Sequence, residues 1–295
     1  MARLGAYRDF AAGSADHGYV LIRVVVAKGS TPRDDDAWML VSRASSFGTI
    51  GGGRLELEAI DRARAVLAGA GAEPLALPLG PAIGQCCGGH VTLSFELIPP
   101  ARFAEIEAMV EAEDSGDPEV WLFGGGHVGR ALTSALLLLP VKVHVVETRQ
   151  DELELTPQGA ALHLTSLPES LVSGIAPGSA VIVLTHDHAL DFLIVSAALA
   201  RNDLAQVGMI GSDTKRATFE HQFIREGGDK SRLSDLVCPI GRKVADKRPE
   251  VIAATVASDI IAALAEWRES NRFKGSDQRG RISHRTACAP ESPTR

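Results

Sequence analysis

The sequence predicts an α/β protein of two domains, in which a smaller amino-terminal α+β domain precedes a Rossmann-like domain with a doubly wound parallel sheet. Two observations predict the second domain. A short apolar strand at residues 119–123 runs directly into a glycine-rich turn, and beyond it apolar strands alternate with helical segments. Such alternation is typical of a parallel sheet with helices on both faces. The 295 residues are enough for two domains that each bury a core.

The composition argues against some classes of function before any motif is considered. Hydrophobic residues make up 45% of the chain and charged residues 23%, as in soluble globular proteins. The formal net charge is -7 at pH 7. An acidic chain argues against nucleic acid or an anionic membrane as the main partner, so we expect neither.

The sequence also predicts a cytoplasmic protein. Its first residues lack the continuous apolar stretch of a signal peptide, and the most apolar run, residues 131–139, is too short to cross a bilayer. Two of the four cysteines, Cys86 and Cys87, are adjacent, which argues against separate structural disulfides for them.

The amino-terminal domain is expected over residues 1–100. Residues 19–26 are rich in β-branched side chains, which favours a buried strand. After the glycine run at 51–53, apolar residues recur at helical spacing, so this run is predicted to lie at a helix N-terminus. The other expected elements are a helix at 4–10 and strands at 38–41, 75–79 and 91–98.

A domain boundary is expected after this region. Pro99 and Pro100 and an acidic stretch around 111–118 mark it, with a helix predicted over 102–110. The tail is basic, polar and poor in apolar residues, so it cannot offset the entropy of ordering. We therefore assign residues 101–118 to a linker helix and boundary, 119–270 to the Rossmann-like domain and 271–295 to a disordered tail.

A glycine motif opens the second domain. Gly124, Gly126 and Gly129 follow a strand and precede a helix, and Glu147 ends the next strand. This is the context of the dinucleotide-binding fingerprint. The glycines permit a tight turn, and the helix N-terminus offers free N–H groups to a phosphate. The pattern favours a phosphate-bearing ligand; the alternative is a turn kept only for packing.

A His-Asp-His cluster follows a predicted central strand, which places it in the crevice at the carboxyl ends of the strands. His186, Asp187, His188 and Asp191 could bind a metal or carry out acid–base chemistry. The alternative is a hydrogen-bonded loop in which an aspartate caps the next helix.

The least ordinary feature is a pair of cysteines between glycines, Gln85, Cys86, Cys87, Gly88 and Gly89. Glycines let the backbone approach a ligand, and a thiolate is a soft metal ligand or a sulfur carrier. The alternative is two small buried apolar side chains. We favour a functional site.

A second anion site is expected near the cysteines. Gly51, Gly52 and Gly53 with Glu56 could line it, and the guanidinium of Arg33 could bind phosphate or carboxylate in a bidentate manner. Equally, these segments could be plain turns in which the three aspartates after Arg33 pair with it.

Taken together, these motifs resemble the XdhC/CoxI family. The amino-terminal matches are Gly-Ser-Thr-Pro-Arg at 29–33, Gly-Thr-Ile-Gly-Gly-Gly with Leu-Glu at 48–56, and Gln-Cys-Cys-Gly-Gly at 85–89. The carboxyl-terminal matches are Phe-Gly-x-Gly-His-Val-Gly at 123–129, Thr-His-Asp-His-x-x-Asp at 185–191, and Ile-Gly-Ser followed by Lys215. The order of the motifs is kept along most of the chain.

The resemblance implies an accessory protein, rather than an enzyme, that binds molybdenum cofactor (molybdopterin), protects it and inserts its sulfurated form into xanthine dehydrogenase. The implied partners are the molybdenum subunit of xanthine dehydrogenase and a cysteine desulfurase, and a homodimer is a further hypothesis. Cys86 and Cys87 would contact the molybdenum. The two glycine-rich helix starts would hold phosphate, and His127 and the His-Asp-His cluster join the candidate cofactor-binding residues.

Two other functions follow from the residues alone. An NAD(P)-dependent oxidoreductase would use Glu147 for a ribose hydroxyl and His186 or His188 as the acid–base group, but it leaves Cys86 and Cys87 without a role. A metal hydrolase would be built on the His-Asp-His cluster. The resemblance does not lead us to expect NAD(P) as a cofactor.

Overall fold

The structure is a computed structural model that describes residues 2–29, 37–79 and 89–282. The chain divides into two compact units between Gly116 and Asp117. Each unit has its own sheet, and the two sheets differ in type, one antiparallel and the other parallel.

The first unit is a five-stranded antiparallel sheet with three helices. The sheet order is β3-β2-β1-β5-β4. The elements in chain order are α1 (Ala2–Ala12), β1 (Tyr19–Lys28), β2 (Trp38–Val41), β3 (Ser46–Gly48), α2 (Gly53–Leu67), β4 (Leu75–Pro78), β5 (His90–Ile98) and α3 (Phe103–Ser115).

The central strand β1 supplies both faces of this sheet, because successive side chains of a strand point to opposite sides. Val20 and Ile22 pack in the core that includes residues of α2. Tyr19 and Leu21 pack on the other face with residues of α1 and α3. The hydroxyls of Tyr19 and Tyr7 lie 2.8 Å apart, so the polar ends of these buried rings are satisfied.

Helix α3 belongs to the first unit and is not a linker. Its Ile106 and Val110, four residues apart on one face, are 4% and 0% exposed in the same core as Tyr7. The helix also runs five residues beyond the predicted end at 110. The expected linker at 101–118 therefore contains a core helix, and the boundary between the two units comes after that helix.

The second unit is a six-stranded parallel sheet with helices on both faces, as predicted. Its elements in chain order are β6 (Glu119–Phe123), α4 (His127–Leu136), β7 (Lys142–Glu147), α5 (Gln150–Glu154), β8 (Ala161–Leu164), β9 (Ala180–Val183), α6 (His188–Leu199), β10 (Gln206–Met209), α7 (Asp213–Arg225), β11 (Leu236–Val237) and α8 (Pro249–Ile282).

The strand order β8-β7-β6-β9-β10-β11 is that of a Rossmann sheet. The chain moves outward from β6 in one direction, then returns to begin β9 on the other side of β6. All four residues of β9 are buried, since helices cover both of its faces. The topological switch point between β6 and β9 is where such sheets bind ligands.

The carboxyl-terminal helix differs from the prediction. Helix α8 runs over Pro249–Ile282 and so includes residues 271–282 of the expected tail, and residues 283–295 lie outside the described residues. The helix is anchored by buried Val256 and Ile260. In the described part of the chain no helix, α8 included, is both long and apolar enough to cross a membrane.

The packing of α3 can be tested by a core truncation. We expect Ile106→Ala to lower the free energy of unfolding by about 2–5 kcal/mol, because a buried side chain is removed from the core of the first unit. Urea unfolding measures the change, with Glu111→Ala on the exposed side of α3 as the matched control. Equal stability of both variants would mean that α3 is a linker after all.

Candidate functional site

Two loops meet at the switch point of the parallel sheet. Gly124 follows β6 with a φ of 128°, and a Cβ atom at this position would lie 2.4 Å from the carbonyl oxygen of Leu184, just beyond β9. Only glycine allows this approach. The glycine turn and the His-Asp-His loop are thereby held against each other at the carboxyl edge of the sheet.

The three glycines of the motif have different roles. A Cβ at Gly129 would lie 2.1 Å from the carbonyl oxygen of Gly124, so this glycine lets the first turn of α4 pack onto the loop. Gly126 has an ordinary φ of -67°, and a Cβ there would meet no atom within 4 Å. Packing therefore explains Gly129 but not Gly126, which faces open space beside the exposed His127.

The amide groups at the start of α4 provide the polar character of this open space. The first N–H groups of a helix have no carbonyl partner within it, and no side chain caps α4. These N–H groups can donate hydrogen bonds to an anionic oxygen next to Gly126.

Glu147 is bound by the protein itself. It lies at the end of β7 and is 4% exposed. Its Oε2 accepts the N–H of Gly125 at 2.9 Å, and its Oε1 accepts the N–H of Thr148 at 2.8 Å. The guanidinium of Arg149 donates to both oxygens, from Nε at 3.2 Å and from Nη2 at 3.1 Å.

These bonds set the charge state of Glu147. Burial by itself would raise the pKa of the carboxyl group, but hydrogen bonds from the Arg149 side chain and from the amides of Gly125, Thr148 and Arg149 outweigh it and hold the pKa at about 2. The carboxylate is thus ionised and saturated with donors. A ribose hydroxyl would have to displace Arg149 to reach it, which weighs against the oxidoreductase hypothesis.

Asp191 and Lys215 form a buried ion pair between α6 and α7. Asp191 is 0% exposed, and its Oδ1 accepts the Thr185 N–H at 3.0 Å and the Thr185 hydroxyl at 2.7 Å. Its Oδ2 accepts a hydrogen bond from the Lys215 ammonium group, which also donates to the Ile210 carbonyl oxygen at 3.0 Å. The pair joins the ends of β9 and β10.

The rest of the His-Asp-His cluster is exposed. His186, Asp187 and His188 lie on the surface, and the Asp187 carboxylate caps α6 by accepting the Ala189 N–H at 2.8 Å. The cap alternative is therefore correct for Asp187. No group of three or more His, Cys, Asp or Glu side chains among the described residues could hold a metal ion, so the metal-hydrolase hypothesis has no support there.

The glycine run of the first unit is also held by a carboxylate of the same unit, that of Glu56. Gly51, Gly52 and Gly53 all have positive φ, as a turn before α2 requires. Glu56 Oε2 accepts from the hydroxyl of Thr49 at 2.5 Å and from the N–H of Gly52 at 3.1 Å. Glu56 therefore stabilises the turn from inside, and an anion at this site would compete with it.

The cysteine loop cannot be described in the same way. Arg33, Gln85, Cys86, Cys87 and Gly88 lie outside the described residues. Gly89 is described, and its carbonyl oxygen accepts the Leu79 N–H at 2.7 Å at the end of β4. The assignment of Cys86 and Cys87 remains a prediction.

The pairing of Asp191 with Lys215 was not predicted from the sequence, because the two residues are 24 positions apart and belong to different motifs. Their positions in the sequence could have predicted the pair. Both lie in the first turn of a helix that follows a central parallel strand, and such turns meet at one edge of the sheet.

These features define the structural class of the protein. It is a two-domain α/β protein with a Rossmann unit whose glycine turn and ion pair meet at the switch point. The chain belongs to the XdhC and CoxI family. The family model described as "XdhC and CoxI family" matches residues 13–77, and the one described as "XdhC Rossmann domain" matches residues 120–260. The two matches fall in the two units, so the resemblance stated from the motifs is confirmed.

Two individual proteins are also similar to this chain. The uncharacterized protein YqeB of Escherichia coli (strain K12) is 25% identical over 256 residues, which are 82% of this chain and 43% of that protein, so this chain spans less than half of its length. A solved structure from Bacillus halodurans, described as a xanthine dehydrogenase, is similar with a TM-score of 0.75 at 16% identity. The similarity covers 90% of this chain and 96% of that chain and shows a shared fold.

The different roles of the glycines give a matched pair of variants. Gly129→Ala should lower the free energy of unfolding by about 1–3 kcal/mol, because its Cβ would overlap the carbonyl oxygen of Gly124. Gly126→Ala should change it by no more than about 1 kcal/mol, because the backbone is permissive and the space is open. Urea unfolding of both variants checks this, and equal losses would contradict it.

The donors around Glu147 predict a pH-dependent contribution to stability. The pKa in the folded protein lies below the ordinary value of 4.5. The stabilisation, up to about 3 kcal/mol, is therefore present above that value and lost as the pH falls towards 2. The difference in unfolding free energy between wild type and Glu147→Gln should be largest near neutral pH and shrink below pH 4.5.

Urea unfolding at several pH values measures this difference, with Glu154→Gln on the exposed side of α5 as the control. A difference that stays constant down to the acid limit would show that Glu147 is not held in its ionised form by these donors.

Proposed function

We propose that this protein is a maturation factor for an enzyme of the xanthine dehydrogenase type, which binds molybdenum cofactor as cargo, protects it, supports its sulfuration and inserts it into the enzyme. Membership of the XdhC and CoxI family over both units supports a role in the maturation of such an enzyme. The solved relative from Bacillus halodurans, described as a xanthine dehydrogenase, agrees with a link to this enzyme system.

The observation that carries the binding part of the proposal is the open glycine turn at Gly126. The cargo has a phosphate group, and free helix amides beside an unhindered glycine are suited to a phosphate oxygen. Glu147 is already saturated by Arg149 and backbone amides, which favours a ligand held by its phosphate over one held by a ribose. His127 and Gly124 belong to the same turn.

The cysteines supply the proposed contact to molybdenum. Thiolates are soft ligands that suit this metal, and Cys86 and Cys87 are candidates for that contact through their sulfur atoms. Gln85, Gly88, Gly89 and Arg33 complete this group of sequence-based candidates. Their part in the proposal rests on the family motif and on residue chemistry.

A carrier must also release its cargo. Binding protects the cofactor only while the affinity is high enough, and delivery requires that contact with the recipient lowers it. The proposed recipient is the molybdenum subunit of xanthine dehydrogenase, and a cysteine desulfurase is the proposed sulfur donor. A homodimer remains a hypothesis that sedimentation of the cofactor-loaded protein would test.

Retention of molybdenum cofactor after desalting tests the proposal. Wild type should keep near-stoichiometric cofactor, quantified as released pterin. Loss of the molybdenum contact should lower retention at least about tenfold in Cys86→Ala or Cys87→Ala, which corresponds to about 1.4 kcal/mol. Gly126→Ala should lower retention while the free energy of unfolding changes by no more than about 1 kcal/mol.

NADH carried through the same procedure is the control ligand. Wild type that keeps no cofactor would overturn the carrier proposal, and retention of NADH in its place would favour the oxidoreductase. Full retention by both cysteine variants would leave the carrier role intact but remove the cysteines from it. Ala at Cys238, a buried core cysteine, is the matched control for loss of a thiol.

A further inference from the structure

A cleft of about 450 Å³ lies between α6 and α7, at the carboxyl end of β10. We infer that this cleft binds the pterin ring of the cargo, an inference that rests on the proposed function. The cleft adjoins the switch point but lies one strand further from β6.

A short series of contacts links the residues that line the cleft to the glycine turn. Gly124 lies against the backbone of Leu184, and the next residue, Thr185, is bonded to Asp191. Asp191 is paired with Lys215, whose side chain lines the cleft. Both places lie at the carboxyl edge of one sheet, and the proposed ligand would have its phosphate at α4 and its ring in the cleft.

The lining of the cleft suits a flat heterocycle. Phe192 and Ile210 give it an apolar floor, on which a ring can pack. Ser212 and Thr214 add hydroxyl groups that can donate to ring nitrogens or to a ring carbonyl oxygen. A cavity that is mostly apolar with a few polar groups is the usual form of a small-molecule site.

Lys215 supplies the most directional donor. An ammonium group has three N–H bonds, and two of them go to Asp191 and to the Ile210 carbonyl oxygen. In the proposed complex the third would donate to an acceptor in the cleft, such as the pterin carbonyl oxygen. Because Asp191 neutralises its charge, the site fits a neutral ring better than a second anionic group.

Gly211 keeps Lys215 in this position. A Cβ at Gly211 would lie 2.7 Å from Cδ of Lys215, so the glycine makes room for the lysine side chain as it crosses towards Asp191. Larger residues at 211 would push the amine away from both of its acceptors. The turn before α7 thus has a positioning role in the proposed ring site.

Filling the cleft tests the inference. Thr218 lies on the exposed side of α7 and lines the cleft, so Thr218→Trp should fold normally and occupy the ring site. The probe is 6-hydroxymethylpterin, which has the ring without a phosphate, measured by equilibrium dialysis against the full-length protein. We expect at least a tenfold loss of pterin affinity in Thr218→Trp and in a second filled variant, Thr214→Trp.

Ala217→Trp is the matched control, because Ala217 is an exposed neighbour on the same helix and does not line the cleft. It should bind the pterin as wild type does. Guanosine, whose ring shares the amino and carbonyl groups of a pterin, is the competing ligand. Tighter binding of guanosine than of the pterin would overturn the assignment of the cleft to the pterin.

The outcomes separate this inference from the proposed function. If wild type retains the whole cofactor but binds no free pterin, or if the filled variants bind pterin unchanged, the cleft assignment is wrong and the carrier role stands. If wild type retains no cofactor, the carrier role fails and the inference fails with it. Only a loss of pterin affinity in both filled variants supports the ring site.

Discussion

The close approach of two backbone segments at the switch point is the constraint on which the second unit depends. Gly124 can lie against Leu184, and Gly129 against Gly124, only because neither glycine carries a side chain. These contacts fix where α4 begins relative to β9 and therefore where its free amides point. The ion pair of Asp191 and Lys215 extends the same edge to β10. The geometry of the candidate site is thus a result of backbone packing.

Both units use an internal carboxylate to hold a glycine turn. Glu56 accepts the N–H of Gly52 in the first unit, and Glu147 accepts the N–H of Gly125 in the second. Glycine loses more conformational freedom on folding than other residues, so such a turn needs bonds that keep it in one shape. A glycine-rich helix start is therefore not evidence for a ligand until the partners of its amides are known. The start of α4 meets that standard, because no side chain caps its first amides and packing does not require Gly126.

Most of the fold could be predicted from the sequence, because strand and helix patterns are local. Residues 119–123 and the glycine motif were enough to predict the Rossmann-like unit, and the sheet order confirms it. The packing of α3 and the length of α8 could not be predicted, since both depend on tertiary contacts of residues such as Ile106. The candidate site was predicted in part: the turn and Asp191 were found, but the partners of Glu147 and Lys215 depend on side-chain directions that no spacing reveals.

The hold of Arg149 on Glu147 has a consequence for selectivity in the cell. Sheets with this strand order commonly bind nucleotides at the switch point, where an acidic residue at the end of the second strand accepts from the ribose. Here Glu147, which would bind a ribose hydroxyl, is already paired with Arg149, so a nucleotide would first have to break this ion pair. Arg149 is thus an intramolecular competitor for the Glu147 carboxylate. A ligand held by its phosphate at the start of α4 would not have to displace Arg149, so the crevice discriminates against ligands that need the Glu147 carboxylate.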